Sequence, residues 1–430
     1  MDVVDANLFT KKEQITSKSE MCLASVIELA LDCTKEMPES RINMKEVVAL
    51  NLPNLQLQGT ISLSLANLSS LRELNLENNL FHGGISYGLG HLPRLRVIDV
   101  KKNQLNGIIP PTIGNATKLL NFSLSVNRIN GNIPEEIGNL RQLAVLSSTD
   151  NKLTGSIPEA LFHISSLLSV SLGKNSLSGP LLIPEAIFNI SSLNYIALTL
   201  NKFSGRIPTS AGLHLPNLLG LYLSGNELEG EIPLHITNAS RLVRLGLATN
   251  FFSGSIPTNW ESLRDLRLLF LHDNHLTSEY GLPFFQSLAD CRMLQYLDVG
   301  YNPLNSIPPN SIGNLSSTIE FFEISDAQIN GLIPTSIGNM SGLTTLVFQN
   351  NNFTGNILLE FGNLKQLPGL YLNNNKLQGH IPEAVCHLSH LGRLNLEGNE
   401  LFGIIPACIE NLSMLQHLYL DSNKFSPKIP

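Results

Sequence analysis

Histidine and cysteine at short spacing are the first places in this chain where chemistry could occur. Cys386-His387 is followed by His390, and His272 by His275, spacings at which side chains could share a metal ion. A structural zinc site needs four ligands in closed geometry. His387 and His390 instead fall in the Asn and Ser slots of a recurring segment, so no metal and no other cofactor is expected. Phosphoryl transfer would need a glycine-rich loop, a phosphate-contacting lysine, a catalytic-loop aspartate and a metal-binding aspartate. None of those strings is present, and Gly88-Leu-Gly90 lacks the rest of such a loop, so no catalysis is expected. Modification is better represented. Acceptor strings Asn-x-Ser/Thr occur at Asn67, Asn115, Asn121, Asn189, Asn238, Asn314, Asn339, Asn352 and Asn411. They fit a secreted history, although several arise from a repeated Gly-Asn-Leu-Ser unit. Cys386 and Cys408 stand at nearby phases of adjacent repeats, so their α-carbons could fall within disulfide range; two separate thiols are the alternative. With Cys22, Cys33 and Cys291 they make five cysteines, too few for a disulfide scaffold.

The elements that position these residues follow from an internal period. The string Leu-x-Leu-x-x-Asn-x-Leu-x-Gly-x-Ile-Pro recurs from Leu50, clearly at Leu74 to Gly83, Val100 to Pro110, Leu221 to Pro233 and Leu394 to Pro406. Its glycine slot falls sixteen times, mostly 24 residues apart, and holds Ser278, Ser306 and Pro427 in three copies. Leu-x-Leu has the alternation of a half-buried strand, with leucines inward and the x residues in solvent. Asparagine ends the strand by satisfying turn backbone. Glycine permits the next backbone angle. The Ile-Pro pair sets an extended stretch, and Ile-Gly-Asn-Leu starts a short helical turn. One repeat cannot bury its own leucines, so the copies must stack into one continuous core. The fold expected is therefore an α/β solenoid with a parallel sheet lining its concave face.

Composition agrees. Of 430 residues 43% are apolar and only 15% charged, against roughly 25% charged in an average chain. Asparagine, at 45 residues, outnumbers Asp and Glu together, because it is a structural slot of the repeat. The net charge of −7 and the lack of a basic patch exclude nucleic acid as the expected partner. No uncharged apolar stretch of about 18 residues exists, so no membrane insertion is expected. Asp2, Asp5, Lys11, Lys12 and Glu13 break any signal-peptide core.

The exposed strand slots carry the binding signal. Six of the eight tyrosines fall there (Tyr195, Tyr222, Tyr296, Tyr301, Tyr371 and Tyr419), where about one would fall by chance. Strand preference explains part of this, but not the concentration beside Phe270, His272, Asp298, Phe321 and Glu323 in later copies. Tyrosine offers broad contact area and one polar handle, which suits a peptide or protein ligand. Sixteen strands about 4.7–4.9 Å apart would line a surface roughly 70 Å long, enough for an extended peptide. The contact zone is expected over repeats seven to twelve, with Tyr371 as a further candidate.

The Leu-x-Gly-x-Ile-Pro unit resembles the plant-type leucine-rich repeat, and residues 49–430 are identified with about sixteen such repeats, the last truncated at Pro430. More narrowly, Val48-Ala-Leu-Asn-Leu52 with Gly59-Thr-Ile61, and the long tenth copy from Leu276 to Leu294, resemble the ectodomains of plant immune receptor kinases, the group of the flagellin, elongation-factor and rice blight receptors. That resemblance implies a superhelical receptor-type module that binds a peptide or protein ligand in plant defence signalling. It also implies a co-receptor leucine-rich-repeat kinase as partner, a plasma-membrane or extracellular setting, and a cysteine pair like Cys386 and Cys408. A secreted inhibitor of a pathogen's cell-wall-degrading enzyme, or a non-functional receptor-kinase fragment, is the alternative.

Residues 1–48 fit no repeat. Met21 to Glu36 reads as an amphipathic helix and Arg41 to Val48 as a shorter one, giving a short α-helical tail. Glu28 to Cys33 with Pro38 to Arg41 resembles the end of the same group's kinase domain, without the Ala-Pro-Glu partner of Arg41. A kinase end placed before an ectodomain start is a reversed order, which a mis-joined tandem gene would explain. A helical cap on the open end of the repeats is the other reading.

Overall fold

The computed structural model describes residues 47–180, 187–188, 190–278 and 281–426. The helical tail, Cys22, Cys33, Asn189 and the glycine slot at Pro427 lie outside the described residues. The chain divides into two compact units, one up to Ser204 and one from Gly205.

Each unit is built from the same turn. A three-residue strand opens every copy, and successive strands pair in parallel and in register, as Glu73–Asn75 does with Val97–Asp99 in the first unit and Tyr296–Asp298 with Phe321–Glu323 in the second. The middle residue of each strand points inward: Leu74, Ile98 and Phe122 are fully buried in the first unit, and Leu269, Leu297 and Phe322 in the second. Their neighbours on either side form two rows on the outer face of the ladder. Pairing begins before the expected boundary. The carbonyl of Val48 accepts the amides of Arg72 and Glu73, and Val47 and Val48 carry no helix. The expected helix over Arg41 to Val48 therefore does not reach its last two residues, because their backbone is already committed to the ladder.

The recurring asparagine stitches turn to turn. Asn127 is typical: its amide donates to the carbonyls of Leu124 (2.9 Å) and Val100 (3.1 Å), and its carbonyl oxygen accepts from Leu105 N–H at 3.0 Å. Buried backbone that has no strand partner is satisfied by this one side chain. The following glycine slot adopts positive φ wherever glycine occupies it, from Gly59 to Gly403.

One feature departs from expectation. The Leu-x-Gly stretch is a strand with ladder partners of its own, as in Gln58–Thr60 against Leu80–Gly83. In the second unit this side ladder stops at His275–Thr277 and resumes at Asn330–Leu332. The gap falls where the glycine slot holds Ser278 and Ser306, residues that do not adopt positive φ there. The far-side turns, expected to be short and helical, are 3₁₀ segments, most of them five residues long, such as Pro111–Asn115 and Glu135–Asn139. Room is too short for i→i+4 bonding, and each turn closes with an i→i+3 bond. The glycine of Ile-Gly-Asn is required by packing: a Cβ at Gly114 would lie 2.4 Å from the Glu136 carbonyl oxygen.

The longest copy inserts the α-helix Phe284–Leu288, which starts immediately after Pro283. Proline suits a helix start, since its missing N–H would be unpaired there anyway. The helix drives Phe285 against Phe322 with ring centroids 5.8 Å apart, and Phe322 meets Phe348 edge-on at 5.3 Å. This aromatic column lies directly beneath the strand Phe321–Glu323. Cys291, buried near it, donates its thiol to the Trp260 carbonyl at 3.3 Å, and burial pushes that thiol's pKa up to about 12. It is a packing residue, inert as a nucleophile.

Near the carboxyl end, Cys386 and Cys408 form a disulfide with α-carbons 5.8 Å apart. It joins two consecutive far-side turns across 22 residues. Closing a loop of that size stabilises by about 3 kcal/mol. A Cys386→Ser/Cys408→Ser protein should lose about that amount in urea unfolding and be cut first by trypsin after Arg393. Unchanged unfolding and cleavage would show that the bond contributes nothing.

Candidate functional site

The outer ladder face differs between the two units. In the first it is small and polar, with Asn75, Ser123, Ser147 and Ser171 in one row. Three of its acids have lysine partners: Lys101 reaches Asp99 at 3.0 Å and Glu77 at 3.2 Å, and Lys174 reaches Asp150 at 2.8 Å. Tyr195, 39% exposed, stands on its last strand. The other nine expected contact residues all belong to the second unit.

There the register brings most of them together. Phe270 lies opposite Asp298, which lies opposite Glu323; Tyr296 lies opposite Phe321. Tyr296 and Phe321 stack with centroids 6.2 Å apart and planes 23° off parallel, forming a half-exposed aromatic platform. The Tyr296 hydroxyl donates to Glu320 at 3.2 Å, and that carboxylate holds the phenol's pKa above its usual value. Tyr371 sits two strands beyond Glu323 in the same row, past Val347. Tyr222 begins the row on the other side, within 3.5 Å of an Arg244 nitrogen.

Behind the platform runs a polar line. His272 Nδ1 lies 2.8 Å from Asp298 Oδ2, and the imidazole's pKa is raised, first by that hydrogen bond and then by the charges of Asp298, Glu323 and Asp273. The ring of His272 meets Phe270 edge-on at 6.4 Å. Glu323 accepts from the Ser325 hydroxyl. Its pKa is raised, chiefly by burial, with Asp298 and Asp326 adding repulsion. Asp326 accepts from Asn350 Nδ2 at 2.9 Å.

Two expected contact residues change role. Asp298 is only 8% exposed, so its carboxylate is not a contact surface. It accepts the Gly300 N–H at 3.1 Å and holds His272 in place. Tyr301 is not on a strand; it occupies the turn at φ 52°, where its side chain is 47% exposed. Burial and the nearby Asp326 and Glu323 raise its phenol pKa. Glu320, Ser325 and Asp326 went unrecognised in the sequence. Asp326 was recoverable, because it fills in the next copy the turn slot that Tyr301 fills.

The remaining candidates lie elsewhere. His387 and His390 are exposed on the far side, and His390 Nδ1 sits 2.8 Å from the Lys365 carbonyl oxygen. His275 stacks on Phe251 at 5.9 Å. Among the described residues no three His, Cys, Asp or Glu gather closely enough to hold a metal. Asn67, Asn115, Asn238, Asn314, Asn339 and Asn411 end the 3₁₀ turns and are exposed there. Asn121 stands on a first-unit ladder strand and Asn352 opens a side strand, both half-buried. No helix among the described residues is long and apolar enough to cross a membrane.

Comparison with known proteins matches this geometry. Leucine rich repeat models match residues 365–425 and, as single repeats, 70–92, 94–116, 217–239, 293–315 and 342–364. A 59-residue stretch is 48% identical to the LRR receptor-like serine/threonine-protein kinase EFR of Arabidopsis thaliana, covering 13% of this chain and 6% of that protein. Among solved structures, the plant peptide hormone receptor RGFR1 in complex with RGF2 superposes with a TM-score of 0.76 at 29% identity, over 89% of this chain and 68% of that one. The Arabidopsis receptor kinase HAESA, in complex with the peptide hormone IDA and the co-receptor SERK1, gives 0.76 at 32% identity, over 88% and 66%. The chain thus spans a small fraction of the curated relative and about two thirds of these two solved chains. Stacked parallel strands, the repeat itself and these likenesses show a solenoid that carries leucine-rich repeats and is similar to the ectodomains of plant receptor kinases.

Proposed function

We propose that this chain is a receptor-type recognition module whose second-unit ladder face, from Phe270 to Tyr371, binds an extended peptide or a protein segment. The observation that carries the reading is the half-exposed Tyr296–Phe321 platform flanked by fixed polar groups. A rigid aromatic surface with polar handles binds at low entropic cost. RGFR1 is a peptide hormone receptor seen with RGF2, and HAESA is seen with the peptide hormone IDA, which supports the same use here. The module recognises its ligand and does not transform it. By the HAESA–SERK1 precedent, a co-receptor kinase is its second partner. Plant defence signalling is the setting we infer, from the resemblance of the Val48 to Ile61 opening and the long tenth copy to plant immune receptor kinases.

An extracellular or plasma-membrane location goes with this role. The disulfide and the six exposed far-side acceptor asparagines support it. Within the second unit, sugars on the turns at Asn238, Asn314, Asn339 and Asn411 would leave its ladder clear, so glycosylation there and ligand binding are compatible. The test is selection of phage-displayed random dodecapeptides on the full chain. Selected peptides should bind the native protein and fail on a Tyr296→Ala/Tyr301→Ala/Phe321→Ala variant. Peptides that bind both alike would sink the proposal.

A further inference from the structure

We propose that the ligand is a basic peptide: a Lys or Arg side chain seats against Glu323 and Asp326 while an adjoining apolar residue lies on the Tyr296–Phe321 platform. This rests on the reading of the ladder face as the binding surface and adds the chemistry of what it takes.

The argument is one of unmatched charge. On the first-unit ladder, Glu77, Asp99 and Asp150 each have a lysine partner within 4 Å, and Glu73, at a strand start, has none among the described residues. On the second, His272 pairs with Asp298 and also feels the charge of Glu323, but among the described residues neither Glu323 nor Asp326 is paired with a lysine or arginine. Both keep neutral hydrogen-bond donors, Ser325 and Asn350, which orient the carboxylates without cancelling them. Glu320, the nearest acid on the other side of the platform, likewise receives only neutral donors, Tyr296 and Gln295. Charges that are partly buried, oriented and without a lysine or arginine partner favour an incoming cation over solvent. Burial and carboxylate neighbours make Glu323 harder to ionise, a penalty that an arriving cation would relieve.

The size of the cation follows from the spacing. Glu323 ends its strand and Asp326 stands three residues on, in the turn of the same copy, and no metal-holding group exists among the described residues. A guanidinium or ammonium on a flexible stem can bridge such a spread, and the exposed Tyr301 ring beside Asp326 gives its flat face a partner. A phenylalanine, leucine or tyrosine next to it in the peptide would reach the platform.

The experiment uses the same dodecapeptide selection on the full chain, read by sequencing, followed by affinity measurements on a labelled selected peptide. Selected sequences should share a Lys or Arg next to an apolar residue. A Glu323→Gln/Asp326→Asn protein keeps both hydrogen-bond acceptors and should melt normally, yet bind the peptide about tenfold more weakly. Replacing the peptide's basic residue with glutamine should cost the same on the native protein and almost nothing more on the variant, since the pair is then already broken. Selected peptides without a basic residue that still fail on the aromatic triple variant would overturn the charge assignment and leave the ladder-face reading intact. A selection yielding no peptide sensitive to the triple variant would overturn both. Binding abolished by EDTA and restored by calcium would assign these carboxylates to a metal and also overturn the proposal.

Discussion

Replacing Tyr296, Tyr301 and Phe321 by alanine together should weaken binding of a selected peptide at least a hundredfold, about 2.7 kcal/mol. Hot spots of an interface are large rings held rigidly at its centre, and loss of one commonly costs about 2 kcal/mol or more. These three meet that description in different ways. Tyr296 and Phe321 are stacked on neighbouring strands, and the Glu320 carboxylate fixes the tyrosine end of the stack. Tyr301 is the exposed ring at the turn. Their effects will not simply add, because the first two share one surface. Folding should survive. The inward partners Leu297 and Phe322 remain fully buried and untouched, so the melting temperature should move by no more than about 3 °C. A peptide affinity within threefold of the native value would show that the ligand sits elsewhere.

Asn250→Ala should remove about 3–5 kcal/mol of stability from the second unit, with no ligand involved. Asn250 is 5% exposed. Its Nδ2 donates to the carbonyls of Leu223 (3.1 Å), Leu247 (3.1 Å) and Ala248 (3.0 Å), and its Oδ1 accepts from Leu228 N–H at 3.0 Å. Alanine would strand at least one buried donor and two acceptors, each worth about 1–3 kcal/mol when unpaired. The damage spreads across a turn boundary, because Leu223 and Leu228 belong to the preceding copy. Urea unfolding measures the loss, and hydrogen exchange at the Leu228 amide locates it. A loss below 1 kcal/mol would mean that water replaces the side chain and that the asparagine slot is not a structural staple.

The repeat was legible because its three signals are short-range. Leu-x-Leu alternation is a strand pattern, asparagine closes the strand, and glycine marks a positive-φ slot that is glycine from Gly59 to Gly254 and again from Gly331 to Gly403. The side ladder was not legible. Its pairing uses backbone alone, so the x residue of Leu-x-Gly carries no apolar mark. Nor could the sequence reveal that the far-side turns are 3₁₀, since the same residues start an α-helix equally well. The disulfide was open between bond and thiols until the two turns were seen 5.8 Å apart at their α-carbons.

The site was legible by residue type and only partly by role. Slot counting placed Tyr296, Phe321, Glu323 and Tyr371 on the outer rows. It misread Asp298, because a strand-end carboxylate turns back to cap Gly300 N–H and to hold His272. Asp326 is recoverable from the slot it shares with Tyr301, whereas Glu320 is not, because only the pairing of adjacent copies shows that it flanks the aromatic platform.

The ladder face of the second unit as the ligand surface is tested most directly by placing a photo-crosslinking benzoylphenylalanine at Thr345. That position pairs with Phe321 on the ladder. A control position at Leu359 lies on a far-side turn and is 67% exposed. Irradiation with a selected dodecapeptide should give a covalent adduct from Thr345 and none from Leu359. An adduct from Leu359 alone would contradict the account, since the peptide would then bind the turns and not the sheet.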